Sequence, residues 1–243
     1  MARAGLHRQY LEHMRHHPYG YALYEPQSAE LMYPGCCGYF DTTGYWTPLV
    51  DLSNLDALKQ HGIQTEAPFI NRAPGDQRSW GPKTTKTVKG RKIDLSVEAS
   101  LLPAGIPLAE IGALFKFDIT GDFGAILLTQ PPVQREGFLH ASTIRTWSKR
   151  NAAKVAKLWP DVKDHGMFVV TSIYTTQRAK IHVWSGSRHE VTVGFKAGAT
   201  EIGEIAPSTE WYTERADDGW VEVEAKQVPN TSLPACETLT NTR

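Results

Sequence analysis

Lys92-Ile93-Asp94-Leu95-Ser96-Val97-Glu98-Ala99-Ser100 alternates polar and apolar residues without a break. A second arm, Phe115-Lys116-Phe117-Asp118-Ile119-Thr120, does the same. A β-strand sends successive side chains to opposite faces, so each arm has one apolar and one polar face. Ile93, Leu95, Val97 and Ala99 share the apolar face of the first arm, and Phe115, Phe117 and Ile119 that of the second. Between the arms, residues 101–111 hold Pro103, Gly105 and Pro107, too many breakers for a continuous strand. The pattern fits an antiparallel hairpin with one face on a core and one in water. It fits equally an arm whose apolar face meets lipid while its polar face lines water, for which a spanning strand needs roughly 9–11 residues.

The rest of the chain narrows the choice. With 243 residues it can bury a sizeable core. Its 26 basic and 26 acidic residues balance, so overall charge argues neither for nor against nucleic acid. Cys36, Cys37 and Cys236 make no disulfide framework, no CxxC pair and no zinc spacing, which leads us to expect an intracellular chain. No apolar run reaches the ~18 residues of a transmembrane helix, and the N-terminus lacks a secretory apolar region.

Residues 1–17 have the spacing of a short amphipathic helix, with Leu6, Tyr10 and Met14 on one stripe. Arg3, Arg8, Arg15 and four histidines oppose a single acid, Glu12. Such a helix suits an anionic membrane surface or a docked position on its own domain. Residues 19–52 give short strands at 19–24, 31–40 and 45–52, dense in aromatics from Tyr19 to Trp46. That cluster suits sheet core, or the sugar-binding face of a lectin-like module. Ser53 is the expected N-cap of a short helix through Lys59, and residues 62–85 form a surface excursion.

After Gln130-Pro131-Pro132-Val133, a helix is expected over residues 138–159, with Ile144, Trp147, Val155 and Leu158 inward. Arg145, Lys149, Arg150, Lys154 and Lys157 place five cations in thirteen residues with no acid among them. They form either a solvated face or a patch for acidic headgroups, each cation contributing about 1 kcal/mol near an anionic leaflet. A second antiparallel unit follows. Residues 167–176 include Val169 and Ile173; residues 178–184 alternate Ala179, Ile181 and Val183 with Arg178, Lys180 and His182; residues 188–196 carry Val191 and Val193. The short break at residues 175–177 suggests a hairpin between the first two. Short strands at 202–205, 211–214 and 219–226 close the domain, and residues 227–243 are a polar tail.

No phosphate loop, GxSxG, HExxH or kinase motif occurs, and Gly121-Asp122-Phe123-Gly124 lies in what the pattern makes a strand. No catalytic residue, cofactor or metal ligand is expected.

This order of elements resembles the pore-forming N-terminal domain of the gasdermins. His17-Pro18-Tyr19 through Leu49-Val50-Asp51-Leu52 is similar to that family's first helix end and first hairpin. Lys163-Asp164-His165-Gly166 followed by Met167-Phe168-Val169-Val170-Thr171 resembles the charged helix end and strand that open the second inserting hairpin. Residues 98–129 occupy the place of the first. The resemblance covers residues 1–226, so the expected organisation is one pore-forming domain followed by a flexible tail. The chain stops soon after that part, without the animal family's helical inhibitory domain, and so looks most like the fungal members that act in allorecognition.

The resemblance implies an α+β fold: a twisted, mostly antiparallel sheet with flanking helices, able to convert to an oligomeric transmembrane β-barrel. It implies a non-enzymatic effector of pyroptosis-like programmed cell death, as in heterokaryon incompatibility. Its implied partners are acidic membrane phospholipids, further copies of itself and a divergent variant of the same protein, with no nucleic acid. The monomer would be cytoplasmic and the assembly would sit in the plasma membrane. Arg3, Arg8, Arg15, Arg145, Lys149, Arg150, Lys154 and Lys157 would bind lipid. The apolar faces of both units would insert, with Lys92, Asp94, Glu98, Lys116 and Asp118 lining water. Control would lie with the tail or with a partner chain.

Overall fold

The computed structural model describes residues 3–64, 75–94, 111–185, 190–196, 212–215, 220–224 and 235–236. Along the chain these give α1 (Arg3–Met14), β1 (Cys36–Phe40), β2 (Trp46–Asp51), α2 (Leu55–Gln60), β3 (Asp76–Arg78), β4 (Lys83–Thr84) and β5 (Val88–Ile93). There follow β6 (Ile111–Ile119), β7 (Phe123–Thr129), β8 (Val133–Gly137), α3 (Ala141–Leu158), α4 (Val162–His165), β9 (Phe168–Val169) and β10 (Ser172–Thr175). The last are β11 (Arg178–Ser185), β12 (Glu190–Lys196), β13 (Tyr212–Arg215), β14 (Trp220–Glu224) and β15 (Ala235–Cys236). The fold is mixed α and β, with mostly antiparallel sheets and few helices. Among the described residues the sheets are open and form no closed barrel.

The chain divides into two compact units. The first comprises Met1–Asp76, Gln134–Thr175 and Ala225–Arg243; the second comprises Gln77–Val133 and Thr176–Glu224.

In the first unit β1 lies between β2 and β9, antiparallel to both. The turn from β1 to β2 is held by the Asp41 carboxylate, which accepts from the Thr43 amide (2.8 Å), the Thr43 hydroxyl (2.6 Å) and the Tyr45 amide (2.9 Å). Slight burial works against that charge, but the hydrogen bonds from Thr43, Tyr45 and Gly44 outweigh it and hold the carboxyl below the usual carboxylate range. Cys36 and Cys37 are neighbours on a pleated strand and so point to opposite faces. Cys37 packs with Val50, Ile144, Trp147 and Val169, whereas Cys36 packs with Leu23, Met32, Trp46 and Ile173. The sheet is therefore covered on both sides. In the aromatic stretch Trp46 is fully buried and donates to the Leu31 carbonyl at 3.0 Å with Phe40 against it, Tyr21, Tyr33 and Tyr39 are partly buried against the two cores, and Tyr45 is exposed.

Residues 19–24 form no strand, only an isolated bridge at Tyr21. The cap of α2 is Asn54, whose side chain accepts from the Ala57 amide at 3.0 Å, while Ser53 is drawn to the Asp51 carboxylate. Residues 167–176 are not one strand. β9 joins β1, and β10 joins β8 and β15.

The second unit stacks two antiparallel sheets with matching strand order, β4-β7-β11-β14 and β5-β6-β12-β13. Phe117, Ile119, Val191, Val193 and Phe195 from one sheet form a core with Ile126, Leu128 and Trp184 of the other. A buried side chain of this size contributes roughly 1.5–3 kcal/mol. β5 pairs with β6, from Val88 opposite Ile119 to Ile93 opposite Leu114, while residues 95–100 of the first arm lie outside the described residues. The second arm begins earlier than its alternation suggests, at Ile111. Gly121 and Asp122 are a bend, not strand interior, and the chain there leaves β6 for β7 in the other sheet. The same change of sheet separates β11 from β12. The expected hairpin between residues 167–176 and 178–184 is absent, because β11 pairs with β7 and β14.

Candidate functional site

The basic residues of α3 converge on one exposed surface. Ile144, Trp147, Asn151 and Val155 recur at helical spacing and are buried, which fixes the helix with one face inward. Arg145, Lys149, Arg150, Lys154 and Lys157 fill the remaining arc and are all exposed. Leu158 is a correction: it is 36 % exposed at the helix end, and the polar Asn151 takes an inward position instead.

Asn151 is buried because it has a defined task. Its Oδ1 accepts from the Gln64 amide at 3.0 Å, and its Nδ2 donates to the Gln64 carbonyl at 3.1 Å. Trp147 Nε1 donates to the same carbonyl at 3.0 Å. The chain reaches this clasp through Gly62, at φ +62°, whose amide bonds the Lys59 carbonyl while Ile63 bonds the Leu58 carbonyl. That is the left-handed glycine cap that closes many helices. Lys154 lies over this cap, and a Cβ added to Gly62 would come within 3.3 Å of its Nζ.

The helix α1 is docked through Tyr10 and Met14, both buried, with Tyr10 edge-on to Tyr24 at 5.6 Å. Arg8 and Arg15 are exposed, but Arg8 is matched by Glu12 at 3.1 Å, which reduces the helix's net contribution to any anionic contact. The Arg3 side chain lies outside the described residues. His7 packs over Gly44, and burial lowers its pKa, with Glu25 and Asp41 pulling the other way.

Of the expected inserting residues, Ile93, Phe117, Ile119, Val169, Ile173, Ile181, Val191 and Val193 are buried, and Phe115 is partly buried. Val183 is only partly buried. Leu95, Val97, Ala99 and Glu98 lie outside the described residues, as does most of the tail. Expected water-facing residues depart from the pattern in β11, where Lys180 and His182 are buried. His182 sits 3.9 Å from the Trp184 ring and 4.7 Å from Trp220. Both faces of this strand are covered, so its alternation does not mark a wet side. Lys92 and Asp94 are exposed, Asp118 is partly buried, and Lys116 reaches Glu190 at 2.7 Å.

A further basic segment escaped the sequence reading. Residues 83–93 hold Lys83, Lys86, Lys89, Arg91 and Lys92 with no acid. The run itself was the available signal, denser than that of α3.

Among the described residues no group of His, Cys, Asp or Glu side chains is arranged to hold a metal ion, and no helix is long and apolar enough to cross a membrane. Burial raises both the Cys36 and Cys37 thiols, Cys36 to about 12, so neither supplies a thiolate at neutral pH. No protein-family model, curated protein or solved structure matches the chain.

Proposed function

We propose that the chain is a gasdermin-like pore-forming effector of cell death. It docks on acidic phospholipid through the outer face of α3 and then opens its β elements into an oligomeric transmembrane barrel. The observation that carries the reading is α3 itself: five exposed cations on an 18-residue helix that contains no acid. Such a face gains roughly 1 kcal/mol per cation near an anionic leaflet.

The strand layout supports the second step. β6 and β7 are consecutive but belong to opposite layers, and so are β11 and β12. Separating the layers turns each pair into a hairpin, with strands of 9, 7, 8 and 7 residues. Ala113, Phe115, Phe117 and Ile119, with Val191, Val193 and Phe195, would then trade a protein core for acyl chains. Lys116 and Asp118 would face water. Ring closure satisfies the backbone groups that lipid cannot. The resemblance to allorecognition proteins adds the trigger, contact with a divergent variant of the same chain at the plasma membrane.

Dye release from vesicles containing phosphatidylserine tests the reading. Release is expected when the chain is mixed with a divergent natural variant, with much less from neutral phosphatidylcholine vesicles. Intact vesicles under both conditions, with the protein bound or unbound, would remove the proposal.

A further inference from the structure

One short segment stands between β6 and β7. Only Thr120, Gly121 and Asp122 separate Ile119 from Phe123, and a three-residue connection is of hairpin length. The two strands nevertheless lie in opposite sheets. β6 has β12 on one edge and β5 on the other, and β7 has β11 on one edge and β4 on the other. β4 and β5 are joined directly through residues 85–87. Residues 83–93 therefore occupy both of the edges that β6 and β7 would offer each other.

Threonines at the root of that segment pin the bend. The Thr85 amide donates to the Ala125 carbonyl at 3.0 Å, and the Ala125 amide donates to Thr85 Oγ1 at 3.2 Å. Thr87 Oγ1 donates to the Phe123 carbonyl at 2.5 Å and is bonded to the Thr85 hydroxyl at 2.9 Å. From the other side of the bend, the Thr120 amide and hydroxyl both donate to the Thr87 carbonyl, at 2.9 and 3.0 Å. Beyond this clasp the segment holds weakly. β4 is two residues long and pairs with β7 through Lys83 and Thr84. Gly90 brings no side chain to β5. The five cations of the segment repel one another, and Asp118, opposite Lys89, is the one acid facing β5 across the ladder.

We propose that residues 83–93 are a displaceable strap: while its threonine clasp holds, β6 and β7 stay in separate sheets, and its withdrawal frees the two strands to pair as a hairpin. The strap deepens the proposed function and rests on that reading for its role, as the contact that keeps the two layers of the second unit from opening. Its hold needs no lipid and is measurable in solution. Antiparallel strands turn alternate amides to opposite neighbours. One set of β6 amides therefore faces β5 and the other faces β12. Withdrawal of the strap exposes the first set alone, whereas global unfolding exposes both.

Amide exchange of the full chain without lipid, resolved by nuclear magnetic resonance, tests the strap. Thr87→Val/Thr120→Val removes two hydroxyls of the clasp. It should speed exchange roughly tenfold at the β6 amides that face β5, as the loss of two hydrogen bonds implies, and leave those that face β12 unchanged. In a chain with Cys236→Ser, Thr87→Cys/Gly121→Cys should staple the strap, because a Cβ at Gly121 would lie 3.2 Å from that of Thr87, close to disulfide range. The oxidised staple should slow exchange at the same amides below the wild-type rate, which covers the case in which the valine variant fails to fold. With phosphatidylserine vesicles the oxidised staple should release no dye, and reduction should restore release. A wild type that releases no dye removes the pore reading, and the exchange measurement still decides for or against the strap. Unchanged exchange in the valine variant, an equal rise on both edges of β6, or undiminished dye release from the oxidised staple would each overturn the proposal.

Discussion

Asn151 holds the peptide of Gln64 at both ends, accepting from its amide and donating to its carbonyl across 87 residues of sequence. A side chain that bonds both backbone groups of one residue acts as a neighbouring strand would, and it ties α3 to the chain leaving α2.

Removing that clasp leaves the Gln64 amide without its Asn151 partner. Asn151→Ala is expected to cost about 1–3 kcal/mol. Asn151→Asp keeps the acceptor, loses both donors and sets a carboxylate near the Gln64 carbonyl, so it should cost at least as much. Urea denaturation of the two variants beside the wild type measures this; equal midpoints would show that the clasp adds nothing.

Charge reversal on the outer face of α3 separates binding from folding. Lys149→Glu/Arg150→Glu/Lys154→Glu changes exposed positions only, so stability should move by about 0.5 kcal/mol or less per site. Cosedimentation with phosphatidylserine vesicles should fall steeply, and wild-type binding should weaken between low and physiological salt. Undiminished binding would place the lipid contact elsewhere.

Acid should loosen α1. His7 has its pKa lowered from the ordinary 6.5 by burial, against the smaller opposing pull of Glu25 and Asp41. A depressed value means that the docked state resists the proton which the undocked state accepts. The stability contributed by neutral His7 is therefore present above pH 6.5 and is lost as pH falls from there through the docked value. Amide exchange in α1 should accelerate over that window, and His7→Gln should flatten the dependence. Gly44→Ala should produce the loosened state at neutral pH, since its Cβ would meet the His7 ring at 2.4 Å and Gly44 sits at φ +85°.

Gly90 is a packing position. A Cβ there would lie 2.7 Å from the Phe117 ring, in the core of the second unit. Gly90→Ala is expected to destabilise by about 1–3 kcal/mol, whereas Gly81→Ala, with nothing within 4 Å, should be nearly neutral. Thermal melts of the two variants make the comparison.

These residues also show which parts of the fold were legible in the sequence. The alternation of Phe115, Phe117 and Ile119, and of Val191, Val193 and Phe195, was readable because these side chains line one shared core. In β7 and β11 both faces are covered, so the buried Lys180 and His182 looked like a water-facing side. Period-two patterns report burial and say nothing of which sheet a strand joins. That is why the bend at Gly121 and Asp122 looked like strand interior. The outer face of α3 was visible as a run of cations, but Asn151 was not, since its partner Gln64 lies far away in sequence.

Cys36 and Cys37 share a peptide bond but belong to different cores. A thiol reagent reaches each only when the packing over that residue gives way. In a chain with Cys236→Ser, the two alkylation rates would therefore report separately how often each side of one three-stranded sheet breathes, two gauges one residue apart.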